Sequence, residues 1–167
     1  MCIQIRVRST NLTILRKIFF GLSLILFIAA CSSRKTVIAP KPEPTGVQFM
    51  QSDKLMPVLE VAKTENKLVF VDFYTTWCLP CKLMDEDVFT DKELSKFLNA
   101  NFINYKVDAE KGNGANLSVL YQIIAYPTLL FLDAEGNVLT RKIGAAYQTE
   151  LRQLAEEAIA TSKNTGE

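Results

Sequence analysis

The chain has 167 residues, 49% of them hydrophobic, and carries 19 Lys and Arg against 18 Asp and Glu with no histidine. That length supports one domain with a full apolar core plus an additional segment. The near-neutral balance supplies neither the broad basic field that would point to nucleic acid nor an acidic tail. Without histidine there is no Cys–His nucleophile pair, no histidine metal triad and no serine triad. Cysteine, carboxylate, lysine and backbone are left to carry any chemistry.

Residues 1–31 read MCIQIRVRSTNLTILRKIFFGLSLILFIAAC. Arg6, Arg8, Arg16 and Lys17 precede an uncharged, mostly apolar stretch from Ile18 to Ala30. It is too short to span a bilayer comfortably and fits the hydrophobic segment of an export signal. Its end, Ile28-Ala29-Ala30-Cys31, resembles the bacterial lipobox, in which an aliphatic residue and two small ones precede a cysteine that is lipidated and becomes the mature N-terminus. That resemblance implies a signal peptide over residues 1–30 and a lipid anchor to the membrane at Cys31. An ordinary secretory signal and an uncleaved N-terminal anchor are the alternatives, and each also exports the domain. Cys2 lies in the part to be removed. Residues 31–46 follow as a tether, which Pro40, Pro42 and Pro44 bias toward extended, semi-rigid chain.

Globular patterning begins at Val47 and is expected to run to residue 162, with 163–167 as a tail. A short apolar-alternating piece covers Val47–Met50, and Ser52 is placed to N-cap a helix with Leu55, Leu59 and Ala62 on one face. LVFVDFY, residues 68–74, is a β-branched and aromatic run suited to a strand buried on both faces, and its one charge is Asp72. Phe70, Phe73 and Tyr74 read as sheet packing. A helix is expected from near Cys78, with Pro80 tolerated in its first turn, and Thr90-Asp91 marks a second start before KELSKFLNANF. The remainder reads as a strand at Phe102–Val107, a polar loop DAEKGNG, a short helix around Asn116–Gln122 and a strand at Thr128–Leu132. An acidic glycine turn, a strand at Val138–Ile143 and a helix from about Thr149 to Ala160 complete it. Alternating helices and strands ending in a tight hairpin predict an α/β fold, a mixed sheet covered by helices.

Cys78 and Cys81 stand three positions apart in FYTTWCLPCK, a spacing that serves zinc sites and redox dithiols alike. Zinc would need two further ligands, and the mature chain holds neither a second cysteine pair nor a histidine, so no metal is assigned. Cu(I) on two thiolates is chemically possible but lacks the same histidine. A structural disulfide closing so short a loop would remove little chain entropy.

LVFVDFYTTWCLPCK resembles the thioredoxin active-site strand and loop, AYPTLLFLDAEGNV the segment around that family's cis-proline, and RKIGA the glycine-bearing strand end that follows. The three occur in the family's order between residues 48 and 160. WCLPCKLMDEDVFTDKEL is most similar to the C-terminal domains of transmembrane thiol:disulfide interchange proteins. The resemblance implies a thioredoxin fold, a central mixed sheet of four to five strands flanked by helices, with no bound cofactor. It makes Cys78 the nucleophile, where a helix N-terminus favours thiolate over thiol, and Cys81 the resolving thiol one turn on and more buried. Leu79 and Pro80 tune the redox potential. Asp72 matches the buried carboxylate that takes the Cys81 proton, its pKa raised by burial. Tyr126-Pro127 matches the cis-proline corner that offers backbone to a bound peptide, and Trp77 shields the thiols and contacts partners, with a plain core tryptophan as the alternative. One departure stands out: the family often places a lysine near the buried acid, four residues before the next strand's aspartate, and here that position is Asn104, with Lys106 two residues on.

The expected protein is therefore an enzyme, a lipid-anchored thiol:disulfide oxidoreductase of the bacterial envelope facing the periplasm, acting as a reductant on envelope proteins with disulfides. A membrane electron donor would re-reduce it, and no nucleic acid is involved. The alternatives are a disulfide isomerase, a cytochrome c maturation factor, or a tethered binding module without redox turnover.

Overall fold

The run LVFVDFY forms the strand about which the fold is arranged. The computed structural model describes residues 45–165; the expected export signal, the expected lipidation site Cys31 and the expected tether through residue 44 lie outside the described residues. The elements are β1 (Phe49–Met50), α1 (Leu55–Glu65), β2 (Leu68–Tyr74), α2 (Leu79–Leu83), a π-helical turn (Met84–Val88), α3 (Lys92–Asn101), β3 (Phe102–Asp108), α4 (Gly114–Leu120), β4 (Thr128–Leu132), β5 (Val138–Ile143) and α5 (Gln148–Thr165). They build one five-stranded sheet in the order β1-β3-β2-β4-β5. β3 runs parallel to both β1 and β2, while β4 is antiparallel to β2 and β5.

Alternation along β2 sends two sets of side chains to two cores. Phe70 joins Phe102, Leu129 and Phe131 under α3 and α5, where Leu98, Leu151, Ala155 and Ala158 close the layer. Val69, Val71 and Phe73 join Leu130 and Leu132 under α1, with Val58, Leu59, Ala62, Leu117 and Tyr121. Both faces are covered, which is why β2 reads as a near-continuous apolar run. Phe131 anchors the first core, with its ring stacked 4.9 Å from Phe70 and edge-on to Phe102 at 5.1 Å. Asp72 shares the parity of Phe70 and opens onto that same face.

Several boundaries differ from those the sequence suggests. Ser52 does not cap α1: its hydroxyl donates to the Lys54 carbonyl at 2.7 Å and accepts from the Lys54 N–H, closing a local turn just before the helix. Asp91 does cap α3, accepting from the Leu94 N–H at 2.8 Å. α4 starts at Gly114, earlier than Asn116, and glycine is required there because the chain passes so close to the end of β3 that a Cβ would lie 1.9 Å from the Asp108 carbonyl oxygen. α5 continues past Ala160 into residues expected to be tail. The apolar periodicity fades after Ile159, but no glycine or proline occurs before Gly166 to stop the helix.

Phe70→Ala removes a fully buried ring from the stack and is expected to cost about 3–5 kcal/mol. Urea unfolding should show a lowered midpoint at unchanged slope; a loss below about 1 kcal/mol would contradict the packing role assigned to Phe70.

Candidate active site

β2 delivers the chain to Tyr74, and a turn through Thr75 and Thr76, held by the Cys78 N–H donating to the Thr75 carbonyl at 3.2 Å, sets Cys78 at the cap of α2. Cys78 Sγ accepts from the Cys81 N–H at 3.2 Å, so a free helix-terminal donor is aimed at the sulfur. Pro80 occupies the first turn, where an N–H would have no intrahelical partner. Cys78 and Cys81 are closed as a disulfide with their Cα atoms 5.4 Å apart. Both residues are buried, at 3% and 1% exposure, so the expected contrast between them is slight. Among the described residues, no group of three or more His, Cys, Asp and Glu is arranged to hold a metal.

Asp72 is 1% exposed. Lys106 stands directly opposite it across the β2–β3 ladder, with Nζ 3.0 Å from Asp72 Oδ2; Asp72 Oδ1 has no hydrogen-bond partner among the described residues. Burial pushes the Asp72 carboxyl above its ordinary range, and the Lys106 ammonium offsets only part of that push. Lys106 also pairs with Asp85 Oδ1. Burial works against the lysine's charge, yet Asp72 and Asp85 together outweigh it and raise its pKa. The rings of Tyr74, Phe89 and Phe49 lie 4.7, 5.3 and 5.4 Å from the same nitrogen, a favourable setting for a desolvated cation.

The lysine missing from position 104 is thus supplied from 106. Residues two apart on a strand share a face, and the register sets Lys106 rather than Asn104 against Asp72. Asn104 lies opposite Phe70 instead, where its amide donates to the Gln48 carbonyl and to Asn99 Oδ1. Asp85 and Glu110 went unread in the sequence. Asp85 sits in MDEDV, whose charges pass for an ordinary helix surface but whose π-turn carries the carboxylate to Lys106.

Trp77 is no core residue. It is 65% exposed, its Nε1–H is shared between the two Glu110 carboxylate oxygens at 3.1 Å each, and its ring meets Tyr126 edge-on at 6.0 Å. Leu79 is equally exposed. The Tyr126-Pro127 peptide is cis, as the resemblance implied. The Gly144 N–H donates to the Pro127 carbonyl at 2.8 Å, tying the end of β5 to this corner, and Gly144 does so at φ +91°, a conformation that favours glycine.

A strand feeding a cysteine-capped helix, brought against a cis-proline corner through Trp77 and Tyr126, places the molecule among the redox-active domains of thioredoxin fold. Comparison with known proteins agrees: the thioredoxin-like domain family matches residues 56–159, and the chain belongs to that family. It is similar to the thiol:disulfide interchange protein DsbD of Colwellia psychrerythraea, 29% identical over 135 residues that make up 79% of this chain and 22% of that protein. The chain thus spans about a fifth of that relative's length. A thioredoxin from Mycoplasmoides gallisepticum is 34% identical over 58% of this chain and 89% of its own. The solution structure of a candidate disulphide-isomerase from Bacteroides thetaiotaomicron matches with a TM-score of 0.63 at 38% identity, covering 70% of this chain and 96% of that one.

Because burial raises the Asp72 pKa, the folded protein holds that proton more tightly than the unfolded chain does, so stability falls as pH rises from the ordinary carboxylate value of 3.8 through the raised one. Asp72→Asn mimics the protonated acid and removes that loss. The variant is expected to be more stable than the native protein above this window, with the advantage vanishing below pH 3.8. Denaturant titration across pH tests this, and a variant less stable than the parent at alkaline pH would contradict it.

Proposed function

We propose that this chain is an exported, lipid-anchored thiol:disulfide oxidoreductase that reduces disulfides in bacterial envelope proteins. The observation that carries the reading is the Cys78–Cys81 disulfide at the cap of α2, set beside a sheet face on which Asp72 is buried. In the reduced protein the Cys78 thiolate, stabilised by the helix-terminal N–H of Cys81, attacks one sulfur of a substrate disulfide. The substrate S–S bond breaks, a mixed disulfide forms at Cys78, and the first substrate thiolate leaves to take up a proton. Cys81, its proton accepted by Asp72, then attacks the Cys78 sulfur, which expels the second substrate sulfur as a thiolate that takes up a proton, and closes the disulfide present in this structure. Two electrons pass to the substrate. A membrane electron donor returns them.

Export and anchoring rest on the lipobox-like Ile28-Ala29-Ala30-Cys31, and an exchange role is supported by the relative named as a thiol:disulfide interchange protein. The reducing direction is favoured by Pro80, which resembles the reducing thioredoxins. A second reading, disulfide isomerisation, uses the same attack without net electron transfer and is favoured by the description of the Bacteroides relative.

Cys81→Ser leaves the attacking thiol but removes resolution, so this variant is expected to accumulate mixed disulfides with envelope proteins, seen as reducible adducts on non-reducing gels. Cys78→Ser should lose both trapping and turnover. Partners that co-purify with the Cys81→Ser variant only non-covalently would favour a binding module, and a fully active Cys78→Ser variant would rule the mechanism out.

A further inference from the structure

Four serine and threonine residues are buried among the described residues, and three of them have their hydroxyls paired. Ser95 donates to the Lys92 carbonyl at 3.1 Å, Thr128 to the Ala125 carbonyl at 2.7 Å and Thr140 to the Leu154 carbonyl at 3.2 Å. The fourth is Thr75. It is 1% exposed, and its Oγ1 has no hydrogen-bond partner among the described residues. A hydroxyl taken out of water without a partner destabilises the state in which it stands alone.

Thr75 occupies a particular place. Its carbonyl accepts the Cys78 N–H at 3.2 Å, closing a turn through Thr76 and Trp77 whose end residues have Cα atoms within about 7 Å of each other. Side chains leaving the two ends of such a turn can meet. The β2–β4 ladder runs as far as Phe73 opposite Thr128, so Thr75 lies just past its end, where β4 leads back to the cis Tyr126-Pro127 peptide. In the disulfide, Cys78 Sγ is uncharged and already accepts the Cys81 N–H at 3.2 Å. Reduction adds two electrons and two protons to the pair, and ionisation of Cys78 then releases one of those protons. The thiolate left behind is a charged acceptor, of the kind that makes the stronger hydrogen bonds. Asp72, the other buried anion, is already paired with Lys106 on the face that Phe70 shares, and Thr75 follows it at the opposite parity.

We propose that Thr75 is a thiolate-stabilising residue whose hydroxyl donates to Cys78 Sγ once the pair is reduced. It joins the Cys81 N–H as a second donor to that sulfur. The residue favours the dithiol over the disulfide in two ways, because its hydroxyl is unmet in the oxidised protein and met in the reduced one. It acts against the buried Asp72 carboxylate, which disfavours negative charge at the pair. This assignment rests on the redox reading above and adds to it a residue that sets the balance between the two forms.

Thr75→Val keeps the branched shape and removes the hydroxyl, whereas Thr75→Ser keeps the hydroxyl; both are made in the full chain. The pH dependence of iodoacetamide alkylation at Cys78, located by peptide mass, gives the titration midpoint of that thiol. Equilibration with dithiothreitol gives the reduction equilibrium. In Thr75→Val the midpoint is expected to rise by about one pH unit, a tenfold loss of acidity. At a pH above that midpoint the reduction equilibrium should move about tenfold toward the disulfide, a potential about 30 mV more negative. Thr75→Ser should restore both. Urea unfolding adds a readout that packing alone would not produce: the valine variant is expected to be at least as stable as the native protein when oxidised and less stable when reduced. An unchanged midpoint and equilibrium in Thr75→Val overturns the proposal. So does an equal loss of stability in both redox forms, which would make Thr75 a packing residue only. A native chain that exchanges with no disulfide or dithiol would instead overturn the redox reading, and this proposal with it.

Discussion

A carboxylate in the middle of a doubly covered strand constrains this structure more than any other single feature. Asp72 lies in β2 between two apolar cores and is 1% exposed, a position where an isolated charge is costly. The sheet answers with one cation from the adjacent strand: Lys106, set opposite by the β2–β3 register, reaches Asp72 Oδ2. That ammonium is itself largely withdrawn from water, so three aromatic rings and Asp85 gather around it. The π-turn after α2 follows the same constraint, since it brings Asp85 to the lysine while Met84 and Val88 remain in the core.

This arrangement bears on electron transfer through simple electrostatics. The disulfide is uncharged, whereas the dithiol generates thiolate on ionising. In the mechanism we propose, the buried Asp72 carboxylate opposes that negative charge, and Lys106, 3.0 Å from it, offsets only part of the opposition. Stabilising the reduced form is what makes a disulfide strongly oxidising, so a site that withholds such stabilisation tends toward a low potential. In that same proposed mechanism Asp72 accepts the proton that Cys81 gives up during resolution, and its protonation relieves the opposition. Trp77, Leu79, Leu83 and Tyr147 are exposed, whereas Cys78 and Cys81 are buried.

Much of this was legible in the sequence where one physical signal dominated. LVFVDFY, TLLFL and VLTRKI ended at the residues their patterns indicated, because burial on both faces or a tight acidic turn left few other solutions. Asp91 was readable as a cap because its side chain acts within one turn. The signals that failed were those settled by distant strands. The pairing of Lys106, two residues beyond the family's lysine position, depends on the β2–β3 register, and the sequence leaves Trp77 open between a partner-facing and a core position; it is exposed, its indole N–H donating to Glu110 thirty-three positions away. The π-turn left no trace, since MDEDV suits an α-helix equally well. The cis peptide before Pro127 came from family resemblance alone, X–Pro bonds being mostly trans.

The reducing direction we propose is tested most directly by the reduction potential of the Cys78–Cys81 couple in the full chain, equilibrated against glutathione or dithiothreitol. A value in the range of thioredoxin, about −270 mV, is expected for a reductant supplied by a membrane donor. A value near the about −120 mV of strong disulfide-forming oxidants would contradict it, as it would mean that the dithiol is stabilised despite the buried carboxylate.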